Sequence, residues 1–386
     1  MKHLINKRVQ QVKLSPIRLY SQRVAEFTDG INLTIGQPDF STPEHIKEAG
    51  KRAIDDNKTA YTNIAGIPEL RKAASQYVHE KYNLSYNWED EVLVTTGATQ
   101  ALDIVLRAIL EEGCEVILPG PVYLGYLPII QMCGAIPVFV DTTGNDFKMT
   151  ADLIEEKLTE KTRCVLLSYP SNPVGSILTN DELDKIGLLV KDKDIFVVSD
   201  EIYSELNYEE DHYSIASIPG LKEQSFVING LSKSHAMTGW RIGLLFGPAS
   251  LIEEVYKVQV YSTACASSIS QYAALEALTN GMDDPLIMKK EYQTRRDYIY
   301  ARLTAMGFEV SKPRGAFYIF PSVKKFSMTS IEFADRLLEE AHVAVVPGIA
   351  FSEEGNDYVR ISFAYSLEVL EEGLNRIENF INQFEV

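Results

Sequence analysis

Four residues with side chains suited to covalent or acid–base chemistry each stand shortly after a predicted β-strand. They are Asn172, Asp200, Tyr203 and Lys233. A lysine amine can form an imine with a carbonyl compound, and an aspartate can keep a pyridine nitrogen protonated so that the ring accepts electrons. Asn172 and Tyr203 can both form hydrogen bonds with a phenolate oxygen. These residue types therefore predict covalent catalysis on a carbonyl group, with Lys233 as the nucleophile.

A second set of residues is suited to holding a phosphate. Ala98 and Thr99 open a predicted helix, and small residues at a helix N-terminus leave backbone N–H groups free to bind an anion. Ser232 can add a hydroxyl contact, and Arg241 can add a bidentate guanidinium contact. A reactive lysine, a ring-facing aspartate and a phosphate site together predict pyridoxal 5'-phosphate as the cofactor.

The elements that must position these residues form a predicted α/β sheet. Short β-rich runs alternate with helical patterns from residue 91 onward, which is typical of a mainly parallel sheet with helices on its faces. The runs lie at residues 92–96, 115–118, 136–140, 164–168, 195–199 and 226–229. Residues 241–246 follow too closely for a helical crossover, so we expect an antiparallel strand there. Because ligands bind beyond the carboxyl ends of such strands, the polar residues should meet at one edge.

Helical patterns and a C-terminal α+β region complete the prediction. Residues 100–110 and 179–190 are predicted helices, the second opened by a capping box at Thr179. A helical region that begins near Ser268 is interrupted at residues 281–285, where we place the passage to a second domain. Beyond it, strands are predicted at residues 308–310, 316–320, 343–346 and 359–363, with a helix at residues 331–342. An apolar stripe from Leu367 to Phe384 predicts a final helix that packs on the core.

Composition excludes several classes of protein. The 386 residues carry 37 Lys and Arg against 54 Asp and Glu, a formal net charge of −17. This balance argues against a nucleic-acid binder and against docking on an anionic membrane. No apolar run is long enough to span a membrane, and we find no signal peptide, so a cytoplasmic location is expected. The four cysteines lie far apart and the six histidines form no metal-binding pattern, so neither disulfides nor a metal is predicted.

Six segments, in order along the chain, resemble the class I/II aminotransferases of fold type I. Residues 232–243 resemble the lysine signature of that family, and residues 172–175 and 200–203 resemble its cofactor segments. Residues 36–40 and 61–66 resemble its substrate and dimer-contact segments, and residues 360–363 resemble its carboxylate-binding strand. The resemblance implies a large domain with a mainly parallel seven-stranded sheet and a smaller α+β domain. It places the N-terminal arm with part of the small domain at residues 1–45, the large domain at 46–284 and the small C-terminal domain at 285–386.

The resemblance also implies a role for each matching residue. Lys233 would bind the cofactor covalently and then move the proton of the substrate α-carbon. The other cofactor contacts would come from Asp200 at the pyridine nitrogen, Tyr203 and Asn172 at the ring oxygen, Tyr123 on the ring face, and Ala98, Thr99, Ser232 and Arg241 at the phosphate, with Tyr61 reaching the phosphate from a second subunit. Gly36, Asn172 and Arg360 would hold the substrate α-carboxylate. In the predicted strand at residues 359–363, Arg360 stands on the face opposite Val359 and Ile361, which agrees with that role.

Two residues depart from patterns seen among relatives. Gly230 stands where relatives often have a Ser or Thr hydroxyl at the phosphate. Thr99 stands where some bacterial aspartate aminotransferases have a Lys, which argues against a strict aspartate enzyme. The motifs most resemble the bacillar aminotransferase A group, which is associated with N-acetyl-LL-diaminopimelate transamination in lysine biosynthesis.

The expected activity is a ping-pong aminotransferase that acts as a homodimer on an amino acid and a 2-oxo acid such as 2-oxoglutarate. A carbon–sulfur β-lyase with the same cofactor, or a broad-specificity aromatic or aspartate aminotransferase, remains an alternative. A nicotinamide-dependent dehydrogenase would need a G-x-G-x-x-G turn, which the sequence lacks. A transcriptional regulator would need a basic DNA-binding segment ahead of residue 30, for which there is no room.

Overall fold

The computed structural model describes residues 1–12 and 16–384. The predicted domains 1–45 and 285–386 include residues 13–15 and 385–386, which lie outside the described residues. The strands are β1 (Ile31–Asn32), β2 (Val92–Thr95), β3 (Glu115–Gly120), β4 (Ile136–Asp141), β5 (Thr162–Ser168), β6 (Phe196–Asp200), β7 (Ser225–Gly230), β8 (Gly243–Phe246), β9 (Tyr318–Ile319), β10 (Val343–Ala344), β11 (Val346–Pro347) and β12 (Val359–Ser362).

Helices alternate with these strands along most of the chain. They are α1 (Lys7–Gln11), α2 (Pro16–Val24), α3 (Glu44–Asp55), α4 (Pro68–Tyr82), α5 (Ala98–Ile109), α6 (Tyr126–Met132), α7 (Ala151–Glu155), α8 (Asn180–Val190), α9 (Ala249–Ser262), α10 (Ser268–Thr279), α11 (Asp284–Ala305), α12 (Ser330–Ala341) and α13 (Leu367–Ile381). The predicted capping box is present at α8, where Thr179 Oγ1 accepts from the Glu182 backbone N–H and Glu182 accepts from the Thr179 N–H.

The centre of the fold is a seven-stranded sheet in the order β2-β8-β7-β6-β5-β3-β4. All neighbours are parallel except β8, which runs antiparallel to both β7 and β2. The predicted α/β fold and the antiparallel strand are therefore confirmed. The inner strands β5, β6 and β7 are almost wholly buried, as expected for a parallel sheet with helices on both faces. Their carboxyl ends carry Ser168, Asp200 and Gly230 to one edge.

A smaller α+β unit is built from both ends of the chain. Its antiparallel sheet has the order β11-β12-β9, and β10 pairs in parallel with β1 from the N-terminal segment. The apolar side of α13 packs with α12 and α11 against these strands in one buried cluster that includes Phe333, Leu374 and Phe380. The domain limits given above remain a prediction, which the pairing of β1 with β10 supports.

Two predicted strands of this unit are wrong in detail. Residues 308–310 form no strand, although Phe308 is buried and Ser322 N donates to Glu309 O at 2.9 Å. One such bond does not make a ladder, and the apolar pattern there reflects core packing. The strand predicted at residues 343–346 divides at Val345, because β10 pairs with β1 whereas β11 pairs with β12. Within the described part of the chain, no helix is both long and apolar enough to cross a membrane.

Candidate active site

A cavity of about 340 Å³ lies beyond the carboxyl ends of the parallel strands, between the large sheet and β9 and β12. The loops after β2, β5, β6 and β7 contribute to its wall, as the position of ligand sites in open α/β sheets predicts. The small α+β unit contributes Tyr318 and Arg360, and the N-terminal segment contributes Ile17, Ile35 and Gly36. The wall is thus assembled from parts of the chain that are more than 300 residues apart.

Lys233 projects into this cavity from the loop after β7. Its Nζ donates to the Gly36 carbonyl at 2.6 Å. Burial, and then the nearby charges of Arg360 and Arg241, lower the pKa of Lys233 to about 8, and the Asp200 carboxylate opposes this shift only in part. An amine with this pKa is far more often unprotonated near neutral pH than an ordinary lysine, which is what a nucleophile requires.

Asp200 is the last residue of β6, and its carboxylate is almost completely buried. Its Oδ2 accepts from Tyr126 Oη at 2.7 Å, and its Oδ1 accepts from the Ile202 backbone N–H at 3.2 Å. Burial raises the pKa of Asp200, while these two hydrogen bonds act in the opposite direction. Tyr126 Oη is also 2.9 Å from Ser168 Oγ, and because the single phenol proton goes to the carboxylate, the Ser168 hydroxyl is the donor in this second contact. These hydrogen bonds fix the orientation of the carboxylate at the cavity, whose wall also includes Lys233.

The start of α5 and Arg241 form the part of the cavity suited to an anion. Ala98 and Thr99 provide the first N–H groups of α5, which have no carbonyl partner within a helix. Gly97 precedes them with φ +80°, and a Cβ there would lie 2.4 Å from Arg241 Nη2. Arg241 itself has φ +56° and donates from Nη1 to the Thr238 carbonyl at 3.1 Å. A glycine is therefore required for the guanidinium to approach the helix N-terminus this closely.

Arg360 forms the opposite end of the cavity. It is 1% exposed, donates from Nη1 to Asn172 Oδ1 at 3.0 Å and donates from Nη2 to the Thr34 carbonyl. Its Nε has no hydrogen-bond partner among the described residues. A buried guanidinium without a carboxylate is costly unless a ligand completes it, so this arrangement is suited to an incoming carboxylate.

Three further tyrosines, besides Tyr126, line the space between these two ends. Tyr203 Oη and Tyr318 Oη are 2.7 Å apart, and burial is the main reason that the pKa of each lies above its ordinary value. Tyr123 packs edge-on against Tyr126 with ring centroids 5.3 Å apart. Burial also raises the pKa of Tyr123, and the Asp200 charge adds to this rise. All three phenols stay protonated and can donate hydrogen bonds.

The structure brings together eleven of the twelve site residues predicted from the sequence. These are Gly36, Ala98, Thr99, Tyr123, Asn172, Asp200, Tyr203, Ser232, Lys233, Arg241 and Arg360. Tyr61 is absent from the wall formed by the described residues and is 91% exposed. Tyr126 and Tyr318 also lie in the wall and were not predicted from the sequence. Their sequence signals were weak: Tyr126 stands three residues after Tyr123, and Tyr318 stands within the predicted strand at residues 316–320.

Comparisons with known proteins agree with this geometry. A family model described as aminotransferase class I and II matches residues 28–377. The chain is 56% identical to a probable N-acetyl-LL-diaminopimelate aminotransferase of Bacillus subtilis, over 99% of this chain and 96% of that one. It is 41% identical to an aspartate aminotransferase of Pyrococcus abyssi, over 97% and 98% of the two chains. The crystal structure of an aromatic aminotransferase from Pyrococcus horikoshii superimposes with a TM-score of 0.91 at 40% identity, over 95% and 99% of the chains.

Proposed function

Because this chain belongs to the class I and II aminotransferase family, we propose that it moves an amino group between an L-amino acid and a 2-oxo acid with bound pyridoxal phosphate, in a ping-pong cycle. One observation carries the proposal. Lys233, Asp200 and the anion site at Arg241 open onto the same cavity. An amine, a ring-facing carboxylate and a phosphate site at these positions are what this cofactor requires.

The residues fit the cofactor at each of its polar ends. Because Gly97 has no side chain, there is space for a phosphate beside Arg241, whereas any side chain at position 97 would collide with the Arg241 guanidinium. Ser232 lies beside it on the cavity wall and can donate its hydroxyl. Asp200 would pair with the ring nitrogen, Asn172 and Tyr203 with the ring oxygen, and Tyr123 would pack on the ring face. When bound, pyridoxal phosphate supplies an aldehyde for attachment and a ring that accepts the electron pair released at the substrate α-carbon.

Lys233 and Arg360 carry the steps that belong to the protein. With its pKa lowered to about 8, Lys233 Nζ is available first as a nucleophile and later as the base that takes the proton from the substrate α-carbon. Arg360 binds the α-carboxylate with its guanidinium group, whose Nε has no hydrogen-bond partner among the described residues and is free to donate. Fixing the carboxylate orients the C–H bond toward Lys233, so that binding energy is used for alignment.

For the substrate we propose N-acetyl-LL-diaminopimelate, with 2-oxoglutarate and glutamate as the partner pair. The support is the 56% identity to the Bacillus subtilis relative, and Thr99 in place of a lysine at the cavity edge argues only against a strict aspartate enzyme. A neutral Thr99 offers no charge to the distal carboxylate of aspartate. Broad activity on aromatic or aspartate substrates is the alternative that the other relatives support.

We also propose a homodimer in which each cavity receives Tyr61 from the second subunit. Within its own chain Tyr61 is 91% exposed and lies outside the cavity wall. A large aromatic side chain with that exposure, in a segment that resembles the family's dimer contact, is suited to a site on a partner copy.

The decisive experiment is the absorbance spectrum of the purified protein and of Lys233→Ala. The wild-type protein should be yellow, and L-glutamate or another donor should bleach the band. Lys233→Ala should lose the borohydride-reducible linkage and nearly all turnover, because no other amine on the cavity wall described here can replace it. Lys257→Ala, at an exposed lysine paired with Glu254, is the matched control and should behave as wild type.

Product analysis then separates the reaction types. A transaminase yields a keto acid and a new amino acid, whereas a β-lyase yields pyruvate and ammonia. A panel of donors that includes N-acetyl-LL-diaminopimelate, scored by bleaching, tests the substrate. Transamination by Lys233→Ala at the wild-type rate would refute the assignment of Lys233.

A further inference from the structure

Tyr318 connects the two ends of the cavity, and neither the sequence motifs nor the roles proposed above use it. It lies on β9 opposite Ser362 of β12, so its side chain leaves the sheet on the same face as Arg360, two residues from Ser362. Such diagonal neighbours are within reach of long and aromatic side chains. The Arg360 Cζ accordingly lies 4.5 Å from the centroid of the Tyr318 ring.

The hydroxyl of Tyr318 reaches the cofactor side of the cavity. Its Oη is 2.7 Å from Tyr203 Oη, and the two rings meet edge to face with centroids 5.9 Å apart. The chain also makes room for this hydroxyl, because a Cβ on Gly36 would lie 2.2 Å from it. The Gly36 carbonyl accepts from Lys233. Tyr318 is therefore packed between the carboxylate-binding end, the reactive amine and Tyr203.

In a hydrogen bond between two hydroxyls, only one of the two protons lies between the oxygens, and the other is free for a different acceptor. If Tyr318 donates to Tyr203, the proton of Tyr203 is free to be donated into the cavity, and the accepted bond makes Tyr203 a better donor. If Tyr203 instead donates to Tyr318, it has no proton left for the cavity. The direction of this one hydrogen bond thus decides whether Tyr203 can act as a donor to a ring oxygen.

We propose that Tyr318 is a positioning residue of the transamination site: its hydroxyl donates to Tyr203 and fixes that phenol as a donor into the cavity, while its ring supports the Arg360 guanidinium. The inference rests on the proposed function, in which Tyr203 faces the cofactor and Arg360 faces the substrate carboxylate. Tyr318 acts through these two residues and takes no part in bond breaking.

The hydroxyl is tested by Tyr318→Phe, which keeps the ring. The readout is the pH titration of the visible band of the cofactor-loaded protein without substrate, so that no turnover is involved. Loss of one neutral hydrogen bond weakens the stabilisation of the ring oxygen anion, which should raise the titration midpoint by about 0.5 to 1 pH unit. Loss of a purely structural bond would lower the melting temperature and leave the midpoint unchanged.

A double-mutant cycle shows whether the effect passes through Tyr203. Tyr203→Phe should raise the midpoint further than Tyr318→Phe does, and adding Tyr318→Phe to Tyr203→Phe should change it no more. Additive shifts would overturn the proposed route.

The chain supplies a matched control in a second buried tyrosine pair. Tyr77 Oη and Tyr82 Oη are 2.9 Å apart, their rings also meet edge to face, and neither lines the cavity. Tyr77→Phe removes a phenol hydroxyl that is as buried as that of Tyr318, since each side chain is 1% exposed. Because Tyr77 Oη also donates to Glu205 Oε1 at 2.8 Å, this variant should cost at least as much thermal stability as Tyr318→Phe, and it should leave the midpoint at the wild-type value.

The ring is tested by comparing Tyr318→Leu with Tyr318→Phe. Loss of the aromatic face under Arg360 should raise the KM of L-glutamate about five- to tenfold above that of Tyr318→Phe, with a smaller change in kcat. Equal KM values for the two variants would overturn the role of the ring.

The two proposals fail in different ways. If the wild-type protein showed no visible band at all, the proposed function would fail. A normal wild-type titration with an unshifted Tyr318→Phe midpoint would overturn the Tyr318 inference alone.

Discussion

At the scale of single residues, the geometry of Asp200 depends on Tyr126, which no motif indicates. Tyr126 donates to Asp200 Oδ2 at 2.7 Å inside a fully buried environment. Burial raises the pKa of Asp200, and this hydrogen bond is the first of the contacts that limit the rise. An uncharged Asp200 would no longer stabilise a protonated ring nitrogen. Tyr126 is for that reason part of what keeps the carboxylate ionised.

We expect Tyr126→Phe to weaken cofactor binding by about three- to tenfold, because the hydrogen bond that orients Asp200 and helps to keep it ionised is lost. The catalytic rate should fall with it, because a larger fraction of Asp200 is protonated. Titration of the apoprotein with pyridoxal phosphate, followed by absorbance, measures the dissociation constant. Tyr77→Phe, the buried tyrosine outside the cavity, is the control, and equal affinities for the two variants would contradict the role of Tyr126.

The pH dependence of cofactor attachment follows from Lys233. Only the unprotonated amine attacks an aldehyde, and burial together with Arg360 and Arg241 brings the pKa of Lys233 down to about 8. The rate of attachment to apoprotein should rise with pH below that value and level off above it, where an ordinary lysine would still be gaining reactivity. Stopped-flow absorbance between pH 6 and about 10 measures this profile. A rate that kept rising beyond pH 9 would show that the amine is not perturbed.

At the scale of elements, the junction between β2 and α5 determines the anion site. Gly97 sits there with φ +80°, and its missing Cβ allows Arg241 to reach the helix N-terminus. Backbone strain and steric collision are separate consequences of a substitution at this position, and the chain provides a way to separate them.

Gly97→Ala should weaken cofactor binding at least tenfold, because the new methyl group displaces Arg241, and should also cost about 1 kcal/mol of stability from the positive φ. Gly113→Ala is the matched control. Gly113 has φ +83° with nothing within 4 Å of its Cβ position, so that variant should lose stability alone. Thermal melts and cofactor titrations of both proteins make the comparison, and similar affinities would contradict the steric argument.

Elements whose signals are local were predicted well from the sequence. The strands of the large sheet and the capping box at Thr179 depend on runs of neighbouring residues, and both are confirmed. The antiparallel β8 followed from a short connection. Residues 308–310 were predicted wrongly, because the same alternation of apolar residues arises when a segment packs on a core without pairing.

The sequence could predict the site residues that follow directly after a strand. Tyr126 and Tyr318 could not be found in that way. The first acts on Asp200 from 74 positions away, and the second meets Tyr203 across 115 positions. Tertiary packing brings these phenols to their partners, Tyr126 from α6 of the large unit and Tyr318 from β9 of the smaller unit. A tyrosine pattern alone is more often core.

At the scale of the whole molecule, the proposed dimer makes each cavity depend on two chains. If Tyr61 completes the cavity of the neighbouring subunit, each site combines Lys233 of one chain with Tyr61 of the other. Lys233→Ala and Tyr61→Ala then remove the two contributions from different chains. A heterodimer of the two variants contains one site with both residues intact and one site with neither.

Each variant alone should have lowered activity, so unfolding the two and refolding them together should raise the activity above that of either variant. Random pairing of equal amounts yields about a quarter of the wild-type value for a symmetric dimer. Mixing of Lys233→Ala with wild-type protein gives the reference for subunit exchange. If Tyr61 served its own chain, the mixture would be no more active than the two variants refolded separately.

The hydrogen bond from Lys233 Nζ to the Gly36 carbonyl joins positions 197 residues apart in the sequence. Covalent modification of that nitrogen leaves it fewer protons to share, and the Gly36 carbonyl must then find another donor. The hydrogen bonding of the backbone around Gly36 consequently depends on whether the Lys233 amine is free or covalently modified. The rate of amide hydrogen exchange in a peptide around Gly36 would therefore report whether the Lys233 amine is modified, although that peptide does not contain Lys233.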